Sequence, residues 1–205
     1  MADLQLPYFL ARPAVPTTAG VVVIHEGNGM SPQLLRVCER LAAEGYGTIA
    51  PDLFFRAGGS EAADFATLIG SLDREQVLDD LTGAAQVLRE LGARRVGVTG
   101  FCMGGALTYR AATRTSAFDA AVGFYGAGIS RELGEPQCPT LLFFGDTDPY
   151  IPQADIDTVA AHHPGTVVYP GAGHGFFRDG SENYDPSAAE DAWKRLLAHF
   201  DAHLR

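Results

Sequence analysis

The chain has 205 residues, a formal net charge of −10, 46% hydrophobic and 20% charged residues. The length suits one domain, expected over residues 1–205, and the composition is globular rather than disordered or fibrous. Lys194 is the only lysine and no basic cluster occurs, which argues against nucleic acid as a partner, and no run approaches the roughly 18 apolar residues of a membrane span.

The amino terminus, Met-Ala-Asp-Leu-Gln-Leu-Pro, has neither the basic nor the apolar region of a secretion signal. The first strand is expected at Gly20–His25, with a glycine-rich turn after it. A helix follows at Ser31–Glu44, opened by Ser-Pro, a favourable cap and first-turn pair. A strand at Gly47–Ala50 leads into Phe54–Gly70, where Arg56-Ala57-Gly58-Gly59-Ser60 reads as a loop and a candidate lid. Then come a helix at Asp73–Leu91, a strand at Arg95–Thr99, a helix at Met103–Thr115 and strands at Ala120–Phe124 and Thr140–Phe144. A helix at Gln153–His162, a strand at Thr166–Tyr169 and a helix at Pro186–His203 complete the chain. Several strands are continuous Val/Ile/Leu/Phe runs, as strands buried on both faces are. The alternation predicts an α/β fold, a mostly parallel sheet with helices on both faces.

The chemistry-bearing residues fall where strands end, the place where open α/β sheets bind ligands. Gly100-Phe101-Cys102-Met103-Gly104 is a G-x-C-x-G turn between strand and helix. Such an elbow holds a nucleophile in a strained conformation, and its glycines let the two backbones approach closely. Taken by itself, Cys102 is also readable as a small buried hydrophobe. After Thr140–Phe144, the run Gly145-Asp-Thr-Asp-Pro-Tyr-Ile-Pro152 supplies a carboxylate able to orient a histidine. Its spacing favours Asp148, with Asp146 bonding loop backbone; two simple Asx-turns are the alternative. After Thr166–Tyr169, His174 stands between Gly173 and Gly175. After Gly20–His25, the turn at Gly27 can aim a backbone N–H at the nucleophile and, with the N–H of Met103, form an oxyanion hole.

The remaining histidines read as ordinary. His162-His163 ends a helix, where positive charge suits the dipole. His199 and His203 share a helix face, but a metal site needs a third ligand, and none is evident. No metal is expected.

These residues resemble the dienelactone hydrolase (carboxymethylenebutenolidase) family of α/β-hydrolases over nearly the whole chain. The likeness rests on His25-Glu26-Gly27, Pro51-Asp52-Leu53, Gly100 to Gly105, Ala121-Val122-Gly123-Phe124-Tyr125-Gly126, Asp148 and Gly173-His174-Gly175-Phe176. The resemblance implies a single-domain α/β-hydrolase core and a Cys102–His174–Asp148 triad in nucleophile–acid–histidine order. It implies hydrolysis of an enol lactone to an oxo acid through a thioester, with no cofactor. It implies that Glu26 pairs with the resting thiol and swings aside for substrate. It also implies that Arg178 binds the substrate carboxylate. The family's second substrate arginine belongs to a segment that is shorter here, where Arg56 and Arg74 are the candidates.

The expected partner is a carboxylate-bearing lactone or ester. Three cysteines without a CxxC fit a reducing, cytoplasmic setting. Two rivals stand beside this reading: a general carboxylesterase or thioesterase of the same fold, and a non-catalytic ligand-binding or redox-thiol protein in which Cys138 approaches Cys102.

Overall fold

The computed structural model describes residues 4–205, so the expectation for Met1-Ala2-Asp3 lies outside it. Among the described residues, seven strands form one sheet: β1 (Tyr8–Ala11), β2 (Ala19–Ile24), β3 (Gly47–Pro51), β4 (Arg95–Phe101), β5 (Ala120–Phe124), β6 (Thr140–Gly145) and β7 (Thr166–Tyr169). Their order is β1-β3-β2-β4-β5-β6-β7, and every pairing is parallel except β1 with β3. Among the described residues there are six α-helices: α1 (Pro32–Ala43), α2 (Phe65–Gly70), α3 (Arg74–Glu90), α4 (Met103–Arg114), α5 (Gln153–His162) and α6 (Pro186–Leu204). Among the described residues, no helix is long and apolar enough to cross a membrane.

Side-chain alternation along the strands builds a core on each face. Val21 and Val23 of β2 pack with Leu34 and Leu41 of α1 and with Leu196 and Phe200 of α6. Val22 and Ile24 face the other way, towards Val77 and Leu81 of α3 and Leu107 and Ala111 of α4. This is the mostly parallel sheet with helices on both faces that the alternating pattern predicts, and the α/β-hydrolase architecture that the resemblance implies.

The helix starts follow local chemistry. Ser31 Oγ accepts the N–H of Leu34 ahead of Pro32, and Asp73 caps α3 through Glu75 and Gln76. Asp185 does the same for α6, again ahead of a proline.

Two elements were not anticipated. Strand β1 is a short edge strand, half-exposed, fixed by antiparallel pairing with β3 in the register Tyr8 with Pro51. Within Phe54–Gly70, the loop expected from Arg56 begins as a 3-10 turn over Phe55–Ala57, and α2 forms under an Asp64 cap.

Because the strands run parallel, the loops after β2, β4, β6 and β7 open on one edge of the sheet. That edge carries Gly27, Cys102, Asp148 and His174.

Candidate active site

Cys102 sits between β4 and α4 with φ 54° and ψ −116°, a strained conformation for a residue with a Cβ. Two glycines make the turn sterically feasible. A Cβ on Gly100 would lie 2.3 Å from the carbonyl oxygen of Gly104, and one on Gly104 would lie 2.4 Å from that of Ile24. Helix α4 therefore rests directly on β2 and β4. The Cys102 N–H donates to Phe124 O at 3.0 Å, which ties the elbow to β5.

His174 reaches both other groups. Its Nδ1 lies 2.7 Å from Asp148 Oδ2, and Asp148 Oδ1 accepts the N–H of Tyr150 at 2.8 Å. A carboxylate only accepts, so Nδ1 carries the proton and Nε2 is left for the hydrogen bond to Cys102. Burial alone pulls the imidazole down, but the bonds to Asp148 and Cys102, with the charges on both, raise it to about 9. Asp146, as expected, serves the backbone, accepting the N–H of Gly171 at 2.6 Å.

Glu26 is held elsewhere than expected. Tyr125 donates its O–H to Glu26 Oε1 at 3.0 Å, and Arg178 donates to Oε2 at 3.1 Å. The carboxylate is engaged by a cation and a phenol rather than by the Cys102 thiol, because a charged donor is the stronger partner. Tyr125 itself has φ 38°, is fully buried, and stacks edge-on against His174 with ring centroids 5.1 Å apart. Burial, then the Glu26 charge, keeps its phenol far from ionising.

The N–H groups of Gly27 and Met103 have no acceptor among the described residues. Gly27 lies beneath Phe65 and Ile69 of α2, with 3.4 Å to each from where a Cβ would stand. His25 fixes the turn before it. Its Nδ1 donates to Glu26 O at 2.7 Å and its Nε2 accepts the N–H of Leu53 at 3.1 Å. Burial lowers its basicity, which preserves this neutral tautomer.

A cleft of about 330 Å³ opens beside Cys102 and Met103, lined also by Arg74, Arg110, Arg131 and Glu132. Arg74 pairs with Glu132. Arg56, expected as a substrate ligand, does not line this cleft. It forms a two-pronged pair with the buried Asp80, at 2.6 and 2.9 Å, because an isolated buried carboxylate demands a cation. His199 and His203 meet edge to face on α6 while His199 Nε2 contacts Pro139 O, and no third ligand joins them among the described residues.

Sequence reasoning singled out the runs that hold Tyr125 and His25 but gave neither residue its contacts in the site. For Tyr125 the available signal was its place after β5, at the end of the Ala121 to Gly126 run. For His25 it was adjacency to Glu26. Arg110, Arg131 and Glu132 carried no local signal.

Comparison with known proteins agrees with the fold. The model of the dienelactone hydrolase family matches residues 6–204. A Salmonella typhimurium protein provisionally named a carboxymethylenebutenolidase is 35% identical, over 96% of this chain and 82% of its own length. One from Synechocystis is 32% identical over 99% of this chain and 94% of its own. The crystal structure of a Klebsiella pneumoniae protein, provisionally named a dienelactone hydrolase, superposes with a TM-score of 0.86 at 33% identity, covering 97% of this chain and 93% of that one. The chain belongs to the dienelactone hydrolase family.

Proposed function

We propose that this hydrolase opens an enol lactone of the dienelactone type to an oxo acid, with Cys102 as nucleophile, His174 as base and Asp148 as the group that orients it. The observation that carries the reading is His174, bonded at Nδ1 to a buried carboxylate and at Nε2 to a thiol held in a strained elbow.

His174 accepts the Cys102 proton through Nε2, and Asp148 holds the tautomer and stabilises the imidazolium. The bonds that raise the imidazole favour its imidazolium, the form His174 takes once the Cys102 proton has moved to it. The sulfur attacks the lactone carbonyl, and the oxyanion meets the N–H groups of Gly27 and Met103. The ring C–O bond then breaks, releasing an enolate that remains attached through the acyl chain. It takes the proton that His174 holds, which leaves the imidazole neutral, and becomes the ketone of the oxo acid. Water, deprotonated by His174, hydrolyses the thioester and returns the thiol. An enolate is a good leaving group, so a thiolate nucleophile suffices. Every step uses groups of this chain and water.

Ultraviolet absorbance of a carboxymethylenebutenolide tests this directly. Rapid loss with wild type and loss slowed by at least about a thousandfold with Cys102→Ala is the expected outcome. Equal loss in both proteins overturns the cysteine mechanism. No loss with wild type, combined with Cys102-dependent hydrolysis of simple esters, would move the substrate to the carboxylesterase rival. Apolar side chains in the cleft beside Cys102, such as Leu72 and Ile129, give that rival its structural footing.

A further inference from the structure

We propose that Leu72 is the specificity-determining wall of the Cys102 cleft. It closes the cleft off from a second cavity and so limits the length of uncharged chain that a substrate carries. The inference rests on Cys102 being the nucleophile and adds a size limit to that reading.

The path of the chain gives the first argument. The cleft of about 330 Å³ beside Cys102 is bordered by Ile69, Leu72 and Arg74. A separate cavity of about 210 Å³ is bordered by Ser71, Leu72 and Asp73. Residues 69–74 therefore run between the two spaces, with side chains on each. Among the described residues, Leu72 alone belongs to both linings. One isobutyl group forms the partition.

The way this wall is held gives the second argument. Leu72 is the single residue between two helix caps. Ser71 ends α2, its N–H donating to Thr67 O at 3.0 Å and its Oγ to Leu68 O at 2.7 Å. Asp73 opens α3 by accepting the N–H groups of Glu75 and Gln76 at 2.9 and 3.0 Å. The Leu72 N–H itself donates to Ile69 O at 3.3 Å. Its half-buried side chain packs against the core that contains Leu53, Val77 and Leu107. Caps on both sides fix the backbone, and the core contact fixes the side chain.

The chemistry of the space behind Leu72 gives the third. Leu53 and Val77 are buried and supply apolar surface there. Its ionic groups are already satisfied: both terminal nitrogens of Arg56 bind the two oxygens of Asp80, at 2.6 and 2.9 Å. A carbon chain reaching this space would meet no unpaired buried charge. On the Cys102 side, Ile69, Leu72 and Leu107 offer an apolar approach. Each methylene that finds apolar room strengthens binding, and each that meets the wall is rejected.

Paired esters read the limit on each side of the scissile bond. p-Nitrophenyl octanoate against p-nitrophenyl butanoate varies the acyl chain. Octyl acetate against butyl acetate, followed by acid release, varies the leaving chain. The readout is the ratio of kcat/KM for the long over the short ester. Leu72→Ala should raise that ratio about tenfold on at least one arm, and Leu72→Phe, which thickens the partition, should lower it. Gln76 lines the rear cavity and not the Cys102 cleft. Gln76→Phe placed in Leu72→Ala should fill the opened space and return the ratio towards wild type. Should Leu72→Ala not fold, Leu72→Val carries the same test with a smaller rise. A ratio unmoved by Leu72→Ala and Leu72→Phe on both arms overturns the proposal. So does a rise that Gln76→Phe leaves intact, since it would come from a loosened segment rather than from the cavity. Absence of turnover of both short esters by wild type overturns it too, because the cleft would then refuse any uncharged chain. Turnover of the short esters by Cys102→Ala at the wild-type rate would overturn the cysteine reading beneath it, a different result from these.

Discussion

His174 is pulled in two directions, and the balance sets a pH dependence. Burial disfavours its imidazolium, yet the bonds to Asp148 and Cys102 raise it from 6.5 to about 9. The folded state therefore holds the proton more tightly than the unfolded chain. The stability so gained is complete below about pH 6.5 and is lost as the pH rises through about 9. Its size is about 3 kcal/mol. Urea unfolding of wild type and His174→Gln should show a stability gap at about pH 6 that closes by about pH 9.5. A gap independent of pH would refute the assignment. Arg56 is the contrasting residue, legible as a basic side chain but not in its purpose. Its partner, Asp80, lies a helix away and is buried, while Arg56 is 40% exposed along its side chain. Arg56→Ala should cost about 1–2 kcal/mol of stability, discounted for that exposure. Thermal melts measure it, and an unshifted midpoint would show that Asp80 does not need the cation. The contacts of Tyr125 and His25 were not legible in the sequence because they span the chain: Tyr125 meets Glu26 from 99 residues away, and His25 Nε2 meets Leu53 from 28.

At the scale of elements, the packing of α4 on β2 and β4 decides whether the elbow exists. Gly104 faces Ile24 O with no space for a methyl group, so Gly104→Ala must push α4 outward. The expected cost is about 3 kcal/mol of stability, together with loss of esterase activity as Cys102 shifts. Differential scanning calorimetry and a simple ester assay would check both, and near-native values would show that the close approach is dispensable. All the principal strands of the parallel sheet were readable, since each is a compact apolar run. Strand β1 was not, because an edge strand has only one neighbour, and here half-exposed Tyr8-Phe9-Leu10-Ala11 depends on β3 for its definition. Helix α2 was missed for a related reason. Its six residues fall below the length at which periodicity is informative, and only Leu68 is buried.

The whole molecule settles how far apart the thiols are. Cys102 follows the carboxyl end of β4, whereas Cys138 precedes the amino end of β6, and the strands run parallel. The two sulfurs therefore belong to opposite edges of the sheet, beyond the reach of a disulfide. Burial also pushes the Cys138 thiol up to about 11 and the Cys38 thiol up to about 12. Peroxide should add oxygen at Cys102 without forming an intramolecular disulfide, as intact-mass and peptide analysis would show. A Cys102–Cys138 linkage would revive the redox rival. By itself, the sequence determined the fold class, the strand ends and the presence there of a thiol, a carboxylate and an imidazole. Each of these is encoded locally, in apolar runs and glycine-rich turns. Only the tertiary structure decided which cation meets which anion: Arg178 with Glu26, Arg56 with Asp80, Arg74 and Arg110 with Glu132. Charge pairing acts through space between side chains far apart in the chain, so no local pattern records it.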